Sequence, residues 1–223
     1  MAAPKRLNRD ALISTALEVA DREGLDAVTI RRVAQRHDVT PMALYRHFPD
    51  KDGIFDAVIE RLLAQVRLPE HDERPWDEQM TELLSGLVEA LRPHPNAATL
   101  VFSRILSSTP GRDITERTLA LLRRSGMPVE QAAETASQTL SSLVALVIAA
   151  PGRTGGPEID EAAAAREQKA ALLALPEDRY PHLVAAADAM SSCGSEALYY
   201  GRGVDLIVTG MRGAQRPEAV TGR

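Results

Sequence analysis

The sequence predicts an all-α fold, in which a small N-terminal domain of short helices precedes a larger helical bundle. Apolar residues recur at spacings of three and four along most of the 223 residues, and no stretch alternates apolar and polar residues as a half-buried strand does. Prolines and glycines separate the periodic segments from one another. Because aromatic residues make up only 4% of the chain, leucine, valine and alanine must fill the core.

The first helix is predicted over residues 9–23. Asn8 precedes it as a capping residue, and Gly24 follows it as a C-terminal stop. Its apolar positions lie at helical spacing and are Leu12, Ala16, Leu17, Val19 and Ala20. This spacing predicts that one face of the helix is buried.

The second helix is short and is predicted to begin after Thr29, which can cap it. Its apolar positions are Ile30, Val33 and Ala34. Residues 37–39 form the turn that ends it. Asp38 in this turn tolerates a left-handed backbone better than most residues do, so a tight turn is feasible there.

A third helix follows this turn at once. Thr40 caps it, and Pro41 occupies the first helical position, where a missing N–H group leaves no hydrogen bond unmade. Leu44 and Phe48 supply its buried side, and Pro49 ends it.

A fourth, longer helix is predicted from the capping residue Asp50 to about Val66, and it would span about 24 Å. Its apolar face consists of Ile54, Phe55, Val58, Ile59 and Leu62. Residues 68–75 hold two prolines, and all four residues at 70–73 are ionisable, a composition typical of a linker. We therefore predict a domain of residues 1–67 and a second domain of residues 68–223.

The second domain is predicted to contain six helices, near residues 76–91, 97–107, 113–125, 129–149, 159–174 and 196–211. The glycine-rich stretch 151–157 is interpreted as a mobile loop. A phosphate-binding loop is excluded there, because the Lys-Ser/Thr ending and the preceding strand of such a loop are missing.

Charge is distributed unevenly along the chain, whose net charge is −5. Residues 1–67 carry 11 Lys and Arg against 10 Asp and Glu (+1), and the remainder carries 15 against 21 (−6). The segment 28–51 contains five basic residues and only two acidic ones, which makes a modest basic patch. Such a local patch suffices for binding nucleic acid even when the whole chain is acidic.

Cys193 is the single cysteine, so the chain forms no internal disulfide, and the N-terminus does not resemble a secretion signal. We expect a cytoplasmic protein. The longest apolar run, residues 143–150, is far shorter than the roughly 20 residues needed to cross a bilayer, so no membrane partner is expected.

Three short helices with a tight turn between the second and the third predict a helix-turn-helix. The third helix of such a motif fits the major groove of DNA. Its outward side, opposite Leu44 and Phe48, presents hydroxyl, phenol, guanidinium and methyl groups on Thr40, Met42, Ala43, Tyr45, Arg46 and His47. A solvated helix within a bundle is the alternative interpretation, because every amphipathic helix has a polar side.

The segment 29–51, TIRRVAQRHDVTPMALYRHFPDK, resembles the N-terminal domain of the TetR family of transcriptional regulators. The resemblance extends from Asn8 into the fourth helix, over about 60 residues. It implies a dimeric repressor that binds a palindromic double-stranded DNA operator and is released by a small molecule of unknown identity. Asp38 is a departure, because the family commonly has glycine in this turn.

The resemblance also implies roles for individual residues. The positions that match phosphate contacts in the family are Thr29, Arg31, Tyr45, His47 and Lys51. The positions that match base contacts are Thr40, Pro41, Met42, Ala43 and Arg46, where an arginine pairs well with guanine. Upstream, Lys5, Arg6 and Arg9 fit either a basic arm on DNA or a short charged tail, and we favour the tail.

The bundle resembles the tetracycline repressor subgroup in two apolar helices, at 129–149 and 196–211, and in short segments at 76–77 and 180–183. In that subgroup such helices form a four-helix dimer interface. The residues expected in the interface are Leu140, Val144, Val147, Ile148, Tyr199, Val204, Ile207 and Val208. Gly201 and Gly203 inside the last helix suggest close helix packing, because each costs about 1 kcal/mol relative to alanine. A monomeric bundle is the alternative.

The subgroup binds a magnesium-bound drug through histidine and threonine residues whose positions are occupied here by Val101, Arg104 and Ser142. The sequence therefore predicts neither that drug nor a metal or other cofactor. A pocket for a largely apolar molecule is expected among Met80, His94, Phe102, Ile105, Leu122, Gln138, Thr139 and Ser142. Ordinary core packing explains each of these residues equally well.

An enzyme is the main competing class. A di-iron bundle would need Glu-x-x-His pairs, which do not occur, and no two of the five histidines lie four residues apart. Cys193 has no nearby histidine in sequence. We therefore expect no enzymatic activity. A second alternative is an interaction protein that dimerises through the bundle and has lost DNA binding, against which Tyr45, Arg46 and Lys51 argue.

Overall fold

The structure is a computed structural model that describes residues 8–70, 72–150, 161–191 and 195–214, and every regular element in these ranges is helical. The first helices are α1 (Arg9–Glu23), α2 (Ile30–Arg36), α3 (Pro41–Leu44), α4 (Lys51–Leu63), α5 (Trp76–Leu91), α6 (Pro95–Ala98) and α7 (Val101–Arg104). The later helices are α8 (Thr109–Arg124), α9 (Val129–Ile148), α10 (Glu161–Leu173), α11 (Pro181–Ala185), α12 (Ala187–Ser191) and α13 (Glu196–Ala214). The all-α prediction is confirmed.

The chain divides into two compact units, one of Met1–Ile148 with Tyr200–Arg223 and one of Ala149–Tyr199. The helices α1 to α9 and the part of α13 from Tyr200 onward belong to the first unit, and α10, α11 and α12 pack with one another in the second. The predicted division of the chain at residues 67 and 68 stays a prediction, because α1 to α4 share their compact unit with the bundle helices. In the described part of the chain, no helix is both long and apolar enough to span a membrane.

The capping residues of the N-terminal helices act largely as expected. The Asn8 side chain accepts a hydrogen bond from the backbone N–H of Asp10 at 3.1 Å, and the Thr29 hydroxyl accepts one from the N–H of Arg32 at 3.0 Å. Asp38 has a φ of 55°, so the left-handed turn expected of this residue is present. Thr40 differs, because it precedes α3 but its side chain makes no capping hydrogen bond.

Three helices were placed too broadly by the sequence pattern. The third helix, expected to continue to Phe48, ends at Leu44, and a turn of residues 45–47 follows it. The helix predicted over 97–107 is broken into α6, α7 and a 3₁₀ turn at Ile105–Ser107. The break allows α8 to begin early at Thr109, and a Cβ atom on Gly111 would lie only 1.8 Å from the carbonyl oxygen of Ile105. The helix predicted to reach Val66 ends at Leu63. The sequence pattern also missed α11 and α12, which are only five residues each.

Buried polar groups fix the linker that precedes α5. The guanidinium of Arg117 on α8 donates at 2.6 Å both to the Glu70 carbonyl oxygen and to the side-chain oxygen of Gln79. The amide nitrogen of Gln79, which is fully buried, donates in turn to a carboxylate oxygen of Asp72 and to the Arg74 carbonyl oxygen. The described part of the linker is therefore held against α5 and α8.

The helices α9 and α13 are antiparallel neighbours in the first compact unit. Gln131, near the start of α9, donates to the carbonyl oxygen of Ala214 at the end of α13. A Cβ atom on Gly203 would come within 2.5 Å of the Leu146 side chain. The expected close packing is therefore confirmed for Gly203, whereas Gly201 has nothing within 4 Å of its Cβ position.

Candidate nucleic-acid interface and cavity

The helix-turn-helix exposes to solvent most of the residues that were predicted to contact DNA bases. Leu44 and Phe48 are 0% and 1% exposed, so they anchor α3 and the following turn to the core. On the opposite side Met42 is 70% exposed and Tyr45 is 50% exposed. Thr40, Pro41 and Arg46 are also exposed, and Ala43 and His47 are half-buried. This surface is free to meet a DNA groove.

The residues expected to contact phosphates lie around the same surface. Thr29 and Arg31 are exposed at the start of α2, although the Thr29 hydroxyl is also used as the cap. Lys51 opens α4, and its ammonium group lies 5.1 Å from the centre of the Phe55 ring. The contact with Phe55 orients a cation at the start of α4, where a phosphate contact was expected.

Arg9 has a structural position that the sequence did not suggest. Its guanidinium carbon lies 5.4 Å from the centre of the Phe48 ring, so a cation–π contact joins the start of α1 to the segment that follows α3. Lys5 and Arg6, the other members of the suggested tail or arm, lie outside the described residues.

Two arginines of the basic patch are paired within the protein. The Arg32 guanidinium donates two hydrogen bonds to the Glu23 carboxylate, at 2.7 and 3.0 Å, in a bidentate arrangement. The Arg36 guanidinium donates a third to the same carboxylate at 3.2 Å. The hydrogen bond from Arg32 and the bond from Arg36 together outweigh partial desolvation and lower the pKa of Glu23. Arg31 and Arg46 therefore carry more of the patch's outward charge than the simple count suggested.

We expect Glu23→Gln to weaken the acid sensitivity of the protein. Because the pKa of Glu23 is lower in the folded chain, its ion pairs stabilise the fold above the ordinary glutamate pKa and are lost as pH falls through the folded value. Thermal unfolding followed from neutral to acidic pH should show a smaller fall in midpoint for the variant than for the wild type. Identical pH profiles would contradict the assignment, and Glu18→Gln, on the same helix, is the control.

A cavity of about 290 Å³ lies between α5, α8, α9 and the segment around α7. Its wall is mainly apolar and includes Leu84, Leu87, Ile105, Ile114, Leu140 and Leu143. Four hydroxyl side chains, of Thr115, Thr118, Ser137 and Thr139, also line it. Phe102 and Leu106 are 48% and 60% exposed at its edge, so the cavity has an entrance there.

The cavity contains only part of the predicted ligand set. Phe102, Ile105 and Thr139 line it, whereas Met80 and Leu122 are completely buried core residues outside its wall. His94 instead pairs with Asp21 of α1 at 2.8 Å. Gln138 and Ser142 are exposed on another side of α9. Helical periodicity identified the helices that surround the cavity, but it did not show which side of each helix faces it.

Arg104 connects the cavity wall to α4. It lies between the lining residues Phe102 and Ile105, and its guanidinium donates to the carboxylates of Asp52 and Asp56, at 2.7 Å for Asp56. Desolvation opposes its charge, but the hydrogen bonds that it donates to Asp56 and Asp52 outweigh this effect and raise its pKa. The sequence did not reveal this role, because about 50 residues separate the partners.

The expected dimer residues separate into two groups. Val144, Val147, Val204 and Val208 are at most 2% exposed within one chain, so they have almost no surface left for a partner, and we assign them to the core. Leu140 belongs to the cavity wall. Ile148 is 45% exposed, and Tyr199 and Ile207 are half-buried. Leu206, which is not among the residues expected in the interface, is the most exposed large apolar residue of α13 at 73%.

The chain combines a helix-turn-helix, whose outward side is exposed, with a helical bundle that contains an apolar cavity. These two features define a DNA-binding regulator with a cavity large enough for a small molecule. The chain belongs to the tetR family of bacterial regulatory proteins. Residues 12–58 match the family's N-terminal domain, and residues 68–214 match the tetracyclin repressor-like C-terminal domain. The family consists of transcriptional regulators, which are not enzymes.

Individual relatives show the same similarity. An HTH-type transcriptional regulator of Saccharopolyspora erythraea is 29% identical over 120 residues, which cover 54% of this chain and 51% of that protein. The class C tetracycline repressor of Escherichia coli is 42% identical over 59 residues, 26% of this chain and 27% of that protein. The chain thus spans about half or less of the length of these relatives.

Solved structures extend the similarity to nearly the whole chain. The TetR family protein ActR of Streptomyces coelicolor, in a structure with actinorhodin, superimposes with a TM-score of 0.75 at 29% identity. The superposition covers 95% of this chain and 99% of ActR. ActR has also been solved with (S)-DNPA at the same TM-score.

Proposed function

We propose that this protein is a ligand-responsive transcriptional repressor, which binds a palindromic operator as a homodimer and is released by a small molecule. The observation that carries the proposal is the exposed surface of α3 and of the turn after it. Met42 projects from α3 and Tyr45 and Arg46 from the turn, while Leu44 and Phe48 anchor both to the core. A helix held in this way can enter the major groove without unfolding its own core.

A second copy of the chain is the proposed partner of the outer face of α9 and α13. Leu206 and Ile148 are exposed there, and a Cβ atom at Gly210 or Gly213, which share the side of α13 that carries Leu206, would meet nothing within 4 Å. Exposed glycines weaken a helix unless another surface comes close to the backbone. A two-fold interface would explain them, because the same surface of both chains then closes on itself.

The dimer gives the reading helices a defined separation. A two-fold axis through the α9 and α13 face would present two copies of α3 to one side of a duplex. Two half-sites one helical turn apart require a separation of roughly 34 Å. We therefore expect the operator to be an inverted repeat whose half-sites are spaced by about one turn.

Ligand release is proposed to pass through Arg104. A molecule in the cavity contacts Phe102 and Ile105, which flank Arg104 in sequence. Movement of this segment changes the position of the guanidinium that binds Asp52 and Asp56 near the start of α4, next to Lys51. The ligand shifts the equilibrium only by the difference between its affinities for the two states.

We expect Arg104→Gln to retain operator binding but to need about tenfold more ligand for release, because coupling energies between such sites are typically about 1–3 kcal/mol. The measurement is a titration of the operator complex with a releasing compound, followed by fluorescence anisotropy. Arg112→Gln, which removes a guanidinium that contacts Leu106 and Thr109 but not α4, is the matched control. Equal release curves for Arg104→Gln and the wild type would rule out this route.

The experiment that tests the function as a whole is selection of bound fragments from genomic DNA by the purified protein, followed by a compound screen for release. Enrichment of inverted repeats supports the regulator. An interaction protein without DNA binding would enrich no sequence over random competitor, although it could still be dimeric.

A further inference from the structure

The hydroxyl groups of the cavity give it a directional hydrogen-bonding character. Thr115 donates its hydroxyl hydrogen to the Gly111 carbonyl oxygen at 2.8 Å, and Thr118 donates to the Ile114 carbonyl oxygen at 2.9 Å. Thr139 donates in the same way to the Thr135 carbonyl oxygen at 2.7 Å. Each of the three threonines thus donates its only hydroxyl hydrogen to a backbone carbonyl of its own helix.

A threonine hydroxyl has one hydrogen to donate and two lone pairs to accept with. After donation to the helix, the oxygen of each threonine can only accept a hydrogen bond from a bound molecule. Thr118 and Thr139 are 7% and 6% exposed, so water does not compete freely for these lone pairs. A ligand O–H or N–H group would be satisfied at these two buried oxygens, whereas a ligand carbonyl or carboxylate placed there would receive no hydrogen bond from them. The fourth hydroxyl of the wall, that of Ser137, belongs to an exposed residue and is not part of this buried pair.

Charge reinforces this preference. Every described residue that lines the cavity is uncharged, and its wall is dominated by leucine, isoleucine and alanine. Arg112 contacts the Leu106 backbone, but its guanidinium is held by that carbonyl oxygen and by the Thr109 hydroxyl. An anion that entered would lose its hydration and gain no opposite charge within the wall.

We propose that the cavity selects neutral, largely apolar molecules that donate a hydrogen bond, such as fused-ring phenols, and rejects carboxylates of the same shape. The proposal rests on the ligand-responsive function stated above and adds the chemical class of the effector. The volume of about 290 Å³ suits a skeleton of two or three fused rings.

Three naphthalene probes of matched shape test the selection with the full chain: 2-naphthol, 2-methoxynaphthalene and 2-naphthoate. We expect calorimetric titration at neutral pH to give about fivefold tighter binding for 2-naphthol than for 2-methoxynaphthalene, since only the first can donate a hydrogen bond. Binding of 2-naphthoate should be at least about 100-fold weaker than that of 2-naphthol, because its charge must be desolvated without a partner.

Two variants connect the selectivity to the named atoms. Thr118→Val combined with Thr139→Val keeps the shape of the wall and should bring 2-naphthol and 2-methoxynaphthalene to equal affinity. Leu119→Lys, at a half-buried lining position, supplies a cation and should restore binding of 2-naphthoate. Circular dichroism establishes that both variants remain folded.

The inference is overturned if 2-naphthoate binds as well as 2-naphthol, if no probe binds, or if the valine variant keeps the preference for the phenol. An operator gel shift on the same preparations separates this outcome from failure of the regulator. If the protein binds the operator but does not discriminate among the probes, only the proposed ligand class is contradicted. If it discriminates among the probes but binds no duplex, the proposed regulatory function is contradicted and the proposed selectivity of the cavity stands.

Discussion

Replacing Leu206 by glutamate is expected to convert the proposed dimer to a monomer and to lower operator affinity by on the order of 100-fold or more. Leu206 is 73% exposed on α13, and burying a leucine contributes about 2 kcal/mol per chain. In a two-fold interface the substitution places a carboxylate in both halves, where desolvation without a partner is costly. Each monomer would then hold one half-site only.

Sedimentation and fluorescence anisotropy with an operator fragment measure the two effects together. Leu68→Glu is the matched control, because Leu68 is an exposed leucine at 41% that lies outside α9 and α13. A Leu206→Glu protein that stays dimeric would show that another surface forms the interface. A protein that becomes monomeric but binds the operator with unchanged affinity would contradict the requirement for two reading helices.

The double variant Tyr45→Ala, Lys51→Ala is expected to bind every duplex on the order of 100-fold more weakly than the wild type. Tyr45 is exposed beside the reading face, and Lys51 is held over Phe55 at the start of α4. Because each phosphate neutralised by lysine contributes about 0.9 to the slope of log affinity against log salt, two lysines per dimer should lower its magnitude by roughly 1.8.

Salt-dependent anisotropy titrations with operator and with random duplex provide the measurement. Arg67→Ala removes an exposed positive charge outside the helix-turn-helix and should leave both affinities nearly unchanged. Arg46→Ala should behave differently from the double variant, since removing a side chain that pairs with a base changes sequence preference instead of lowering all affinities alike. An unaltered salt slope in the double variant would contradict the phosphate assignment.

The N-terminal helices were predictable because their signals are local. Asn8, Thr29 and Pro41 occupy positions whose backbone requirements extend over only a few residues, and Leu44 and Phe48 share one face through helical spacing. The outward position of Tyr45 and Arg46 follows from the same spacing. The helix predicted over 97–107 was wrong because its breaks depend on the approach of Gly111 to Ile105, which no periodicity records.

Helical spacing predicts less about the helices of the bundle. Helical spacing showed that α9 and α13 are apolar, but it could not separate Val144 and Val204, which are buried inside the chain, from Ile148 and Leu206, which are exposed. A helix that is apolar nearly all round has no face that the pattern alone can assign. Met80 and Leu122 were placed in the pocket because helical spacing identifies buried positions but does not separate the core from the wall of a cavity.

The amino-acid sequence by itself determined that the chain is helical, where its N-terminal helices begin, and which side chains of α3 point away from the core. These properties depend on backbone dihedrals, caps and residue spacing within a few turns. Only the tertiary structure decided that Arg104 binds Asp52 and Asp56, that Glu23 holds Arg32 and Arg36, and that three threonines line one cavity. Contacts between residues far apart in sequence depend on how whole helices pack, and local spacing carries no record of that packing.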